Sequence, residues 1–126
     1  MATGTAERLQ QAEALFGGAV AGLDTQLHEI RWIEERRDAF DKQAQHTPDE
    51  VTEMSHLAGT HGALVEHLPA LKERVRDLET FVERLERLLG LENRLGGQPA
   101  IGAELTQSIE RERNEIAKLE VKLGLR

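Results

Sequence analysis

Apolar residues recur at helical spacing along nearly the whole chain, and this pattern predicts three helices. A first helix, capped by Thr5, is predicted over about 5–45. One of its faces carries Leu9, Phe16, Leu23, Ile30, Ile33 and Phe40. A second helix is predicted over about 48–95 and a third over about 99–124. The segment Thr47-Pro-Asp-Glu50 reads as a capping box with proline at the first helical position, and Gly96-Gly-Gln-Pro99 reads as the next stop and restart.

The second helix carries a heptad repeat from Met54 onward. Its a and d positions are, in chain order, Met54, Leu57, His61, Leu64, Leu68, Leu71, Val75, Leu78, Val82, Leu85 and Leu89. His61 is the one polar residue among them, and such a repeat is typical of a coiled-coil seam. Because the heptad passes through Pro69 unbroken, we predict one continuous helix, kinked at this proline, in preference to two helices.

Short connections make neighbouring helices antiparallel, so the sequence predicts an all-α, antiparallel three-helix coiled-coil bundle. In the predicted register Ile33 faces His61, Leu85 faces Ile109, and Val82 meets the polar Glu112. The third helix is expected to reach back only to about Leu71. Residues 26–44 and 50–68 would then form a two-helix arm with an uncovered groove. The residues that we expect near this groove, as candidate partner contacts, are Trp32, Ile33, Ala58, His61 and Val65.

The one long apolar run, Ala14 to Leu23, contains a pair of glycines four residues apart, Gly18 and Gly22. The run is about half as long as a membrane span and has acidic flanks, so we predict neither a membrane span nor a signal peptide. The expected location is the cytoplasm or a particle assembled there. We interpret the two glycines as a smooth strip for close helix packing.

Composition narrows the function further. Ala, Glu, Lys, Leu and Arg make up more than half of the 126 residues, as in long helices and coiled coils. There is no cysteine, which excludes thiolate chemistry and Cys-zinc sites. The net charge of −7 argues against a nucleic-acid partner, because binding phosphates needs a basic face.

Histidines raise the question of a metal site. Glu53 and His56 match the Glu-x-x-His ligand spacing of di-iron proteins, but no second copy exists. His56, His61 and His67 are spaced by five and six residues, so one helix cannot direct them at one ion. We therefore predict no metal and no cofactor. We interpret His61 as a partly exposed histidine tolerated at the thin end of the bundle. The alternative is a buried His61, whose contacts protonation would loosen.

Two segments resemble the spectrin repeat, a three-helix rod module. Trp32 to Phe40, with the sequence WIEERRDAF, looks like the tryptophan segment of that family's first helix, and His61 to Leu78 is similar to its second helix. The resemblance covers roughly residues 27–110. It implies a structural or docking module, with Trp32 in the core and His61 beside it.

These patterns favour a non-enzymatic structural or assembly protein that packs through its helical faces, as a homo-oligomer or in a scaffold, filament or particle. Its expected partner is another copy or another helical chain. A second hypothesis is a chaperone-like or adaptor module that holds a client helix in the two-helix groove. A ferritin-like metal-binding protein is a distant third.

Overall fold

The computed structural model of the protein describes residues 4–97 and 102–125. They form three helices: α1 (Thr5–Asp41), α2 (Pro48–Gly97) and α3 (Gly102–Leu123), with no strand in these two ranges. The prediction of an all-α protein is confirmed. The predicted turn residues Gln98 and Pro99 lie outside the described residues.

The start of α2 follows from its capping box, as predicted. The Thr47 backbone N–H donates to Glu50 Oε1 at 3.2 Å, and the Glu50 N–H donates to Thr47 Oγ1 at 3.2 Å. Pro48, which has no N–H to satisfy, occupies the first helical position. These reciprocal bonds satisfy two backbone donors at the helix start.

The α1 helix begins at the predicted Thr5, but the contact of this side chain and the end of the helix differ from the prediction. The Thr5 hydroxyl donates to the Glu92 carboxylate of α2, whereas the sequence prediction used it as a helix cap. The helix ends at Asp41, a few residues early. The His46 ring stacks on Phe40 with centroids 3.8 Å apart, and its Nε2 lies 2.7 Å from the Phe40 carbonyl oxygen. This contact gives a C-terminal carbonyl a partner outside the helix, so the helix need not continue.

The chain divides into two compact units. Residues 20–73 form one unit, which contains parts of α1 and α2 and is called here the two-helix unit. The remaining residues form the other, called here the three-helix unit. The main hydrophobic cluster lies in the three-helix unit and draws on all three helices: Ala12, Leu78, Phe81, Leu85, Leu88, Ile109, Ile116 and Leu123.

In the three-helix unit the buried stripe of α2 is wider than the predicted heptad. Leu78 and Leu85, both d positions, are buried as expected. Phe81 and Leu88 are also buried, although they precede the predicted seam residues Val82 and Leu89, which are only half-buried. A helix that contacts two others buries a broader face than one in a two-stranded seam, and this explains the added positions.

Glu112 is the one polar residue buried among the described parts of the chain. Both of its carboxylate oxygens lie 3.1 Å from Arg84 Nη1, and Oε1 lies 3.3 Å from Arg87 Nη1. The predicted register gave Glu112 only Val82 as a neighbour. The two arginines explain how a carboxylate is tolerated there, since buried charges need partners.

The two-helix unit has a thinner interior, with Ile30 and Ile33 as its buried apolar residues. Along α2 the predicted a and d residues are half-buried here, while the flanking e and g residues are exposed. This narrow stripe is the form expected where a helix has a single partner. The α2 helix continues through Pro69, so the prediction of one helix is confirmed, while the kink stays a prediction.

Candidate functional site

An open groove of about 290 Å³ lies between α1 and α2 inside the two-helix unit, and we call it the arm groove. Its lining residues are Ile33, Arg37, Phe40, Asp41, Val51, Met54, Ser55, Leu57 and Ala58. Ile33 is 4% exposed, whereas Val51 is 52% exposed. The groove therefore has an apolar floor and an accessible rim, the arrangement found where proteins bind other molecules.

The groove lies where a charged residue, Arg37, interrupts the apolar face of α1 that packs against α2, called here the α1 seam. One series of half-buried and buried residues of α1 recurs at alternating spacings of three and four, with one step of seven at its end: Leu9, Ala12, Phe16, Ala19, Leu23, Gln26, Ile30, Ile33 and Phe40. Other half-buried residues of α1, such as Val20 and Leu27, lie beside this series. Residue 37 completes this series, but it is an arginine and is exposed. A charged guanidinium keeps its head in water, so the seam is not filled at this level. Gln26, another polar seam residue, instead donates from Nε2 to the Leu64 carbonyl oxygen at 3.0 Å.

Two of the five predicted contact residues, Ile33 and Ala58, line the arm groove. Ile33 is covered by its own chain and forms part of the floor, while Ala58 is exposed on the rim. Hence only Ala58 of these two offers a side chain to a partner.

Trp32 lies elsewhere on the two-helix unit and does not line the arm groove. It is 52% exposed, which differs from the core position that the spectrin-repeat resemblance implies. The Arg36 guanidinium carbon lies 5.4 Å from the centroid of its ring, and Arg36 pairs with Glu53 of α2 at 2.6 Å. A cation over an indole face stabilises this exposed position.

His61 and Val65 also lie outside the residues that line the groove. Nε2 of His61 lies 3.0 Å from Oε1 of Glu34, so a protonated ring would form an ion pair with that carboxylate. The response of the His61 contacts to protonation stays a prediction. Val65 is 42% exposed.

The glycine pair makes no close packing contact within the described residues. A Cβ added at Gly18, in the three-helix unit, would meet no atom within 4 Å, and the same is true of Gly22 in the two-helix unit. The reason is their register, since neither belongs to the α1 seam series. Close helix packing at Gly18 and Gly22 therefore stays a prediction, and it would have to involve a helix of another chain.

Sequence reasoning missed Val51, Arg37 and Asp41 as groove residues. Val51 had a readable signal, because Val51, Ala58 and Val65 are seven residues apart and share the e position of the α2 heptad. The position of Arg37 in the α1 seam could be recognised only from the complete series, which includes alanines and Gln26 as well as large apolar residues.

Over residues 4–97 and 102–125 no group of three or more histidine, cysteine, aspartate or glutamate side chains is placed to hold a metal ion. Within the same ranges no helix is both long and apolar enough to cross a membrane. The resemblance to the spectrin repeat stays a prediction. Comparison of the chain with protein-family models, with curated proteins and with solved structures found no significant match.

Proposed function

We propose that this chain is a non-enzymatic structural or assembly protein, whose helices run antiparallel and whose two-helix unit packs against other helical chains. The observation that carries this proposal is the thin apolar interior of the two-helix unit, in which Ile30 and Ile33 are the buried apolar residues within the described ranges. Trp32, Val51 and Val65, all in residues 20–73, are each more than 40% exposed. The three-helix unit exposes large apolar residues as well: Leu15, Val121 and Leu125. It also buries a full apolar cluster, whereas the two-helix unit combines accessible apolar side chains with little buried apolar area, as an interaction surface would.

The order of the polar contacts supports the antiparallel arrangement. In the three-helix unit Asp77 pairs with Lys122 and Arg84 with Glu112, so the numbers rise along α2 while they fall along α3. In the two-helix unit Glu34 pairs with His61. Further along α1, Arg36 pairs with Glu53, which lies earlier in α2.

The surroundings of the buried carboxylate support a structural role over a catalytic one. Buried ionisable groups are the usual candidates for acid or base catalysis. Glu112 is such a group, but Arg84 and Arg87 already contact its oxygens. Its contacts join α2 to α3, as expected of an ion pair with a structural role.

The mass of the full-length chain in solution tests the proposal. Light scattering over a hundredfold range of concentration is expected to give a mass above that of one chain, rising with concentration as mass action requires. A single-chain mass throughout would contradict self-assembly and favour an adaptor that binds a client helix. Helical content measured on the same samples controls for unfolding.

A further inference from the structure

The rim of the arm groove carries two opposite charges, one helical turn apart, that have no ion-pair partner within the described residues. Arg37 and Asp41 both line the groove and are both exposed. Two nearby contacts of the same unit are ion pairs, Arg36 with Glu53 and Lys42 with Asp38. The groove is thus an apolar depression flanked by one free cation and one free anion.

Such a pair of charges is complementary to itself. When two copies of a surface meet around a two-fold axis, residue i of one copy contacts residue j of the other, and residue j contacts residue i. If the axis passes near residue 39 of α1, Arg37 of each copy faces Asp41 of its partner. Val51 and Ala58 are exposed on the rim of the same groove, so a copy seated over the groove would cover them.

We propose that the arm groove is the contact surface between two copies of this chain, joined around a two-fold axis by reciprocal Arg37 and Asp41 ion pairs. This inference rests on the proposed function and specifies its partner. A second copy is the occupant because this surface already carries both halves of the required charge pattern. The apolar rim supplies area to bury, and the charge pairs fix the orientation of the two copies.

Substitution in the rim gives the first test, using the full-length chain. Ala58→Arg places a long charged side chain at the centre of the proposed contact, whereas Ala63→Arg places it at an exposed position of α2 that does not line the groove. Light scattering is expected to give a single-chain mass for Ala58→Arg and the wild-type mass for Ala63→Arg. Equal helical content in the two variants ensures that folding is not the cause.

Charge exchange gives the second and sharper test. Arg37→Asp and Asp41→Arg each put like charges opposite one another in a symmetric dimer, and each is expected to weaken self-association by on the order of tenfold or more. In an equimolar mixture of the two variants, every reciprocal contact again joins opposite charges. The mixture is therefore expected to form a one-to-one heterodimer with affinity close to that of the wild type.

The outcomes separate this inference from the function on which it rests. Wild-type assembly that survives in Ala58→Arg would overturn the arm groove as the interface and leave the assembly function standing. Weakened single variants that do not recover on mixing would overturn the reciprocal pairing. A wild-type chain that stays single at every concentration would overturn both proposals. Loss of assembly in Trp32→Arg, with Ala58→Arg unaffected, would move the interface to the Trp32 surface.

Discussion

At the scale of single residues, Glu112 is the clearest case of a polar group placed by tertiary contacts. Its side chain is 9% exposed, against 32% for Arg84 and 60% for Arg87. The arginines therefore remain partly in water, while the carboxylate depends on them. The net contribution of such an ion pair to the free energy of unfolding is limited. Removing the charge of the buried member, however, leaves the neighbouring charges without a partner.

We expect Glu112→Gln to lower the free energy of unfolding by about 1 to 2 kcal/mol, because the amide replaces charge-assisted bonds to Arg84 and Arg87 by weaker ones. Glu115→Gln is the matched control, since Glu115 pairs only with the exposed Lys118 and should change stability by less than about 0.5 kcal/mol. Urea unfolding measures both. Equal effects in the two variants would mean that burial adds nothing to the Glu112 contacts.

At the scale of helices, the contrast between Leu88 and Leu89 tests how wide the buried face of α2 is. The heptad alone selects Leu89, whereas Leu88 is 1% exposed and belongs to the core cluster. We expect Leu88→Ala to lower the free energy of unfolding by about 3 kcal/mol, through lost burial and a residual cavity. Leu89→Ala, at a half-buried position, should lower it by about 1 kcal/mol. If chemical unfolding shows a larger loss of stability for Leu89→Ala than for Leu88→Ala, the narrow heptad seam would be the better description of α2.

Pro69 is an interior proline in a helix that continues past it, so its removal should stabilise α2. Pro69→Ala restores a backbone N–H for the Val65 carbonyl, and because Pro69 is exposed the change removes little packing. We expect a gain of about 1 to 3 kcal/mol. Gly62→Ala is the comparison, with a gain of about 1 kcal/mol, since its Cβ would meet no atom within 4 Å. A Pro69→Ala variant that unfolds more easily than the wild type would show that the proline sets a required helix direction.

The sequence was most informative where structure is determined locally. The Thr47 to Glu50 capping box, the all-helical fold and the half-buried a and d positions follow from short-range chemistry and periodicity. The burial of Phe81 and Leu88 does not, because it depends on a third helix arriving from elsewhere in the chain. Periodicity also could not show that Trp32 and Ala58 belong to different surfaces. That difference depends on how each helix is rotated about its own axis when the two helices pack.

At the scale of the whole molecule, the chain's two units should differ in local stability. The main apolar cluster lies in the three-helix unit, whereas the two-helix unit buries only Ile30 and Ile33 among its described apolar residues. Regions with few buried apolar contacts open more often than the core. At low chain concentration we expect the amides of residues 54–64 to exchange with deuterium on the order of tenfold faster than those of residues 78–88. Uniform protection would contradict this difference.

Concentration should then change exchange in one unit and not in the other. If two copies meet at the arm groove, raising the chain concentration adds binding energy to the folded two-helix unit and slows its opening. We expect slower exchange over residues 37–58 and no change over residues 78–88. The Ala58→Arg variant provides the control, because its exchange should not depend on concentration. Slowing confined to residues 78–88 would place the contact on the three-helix unit instead.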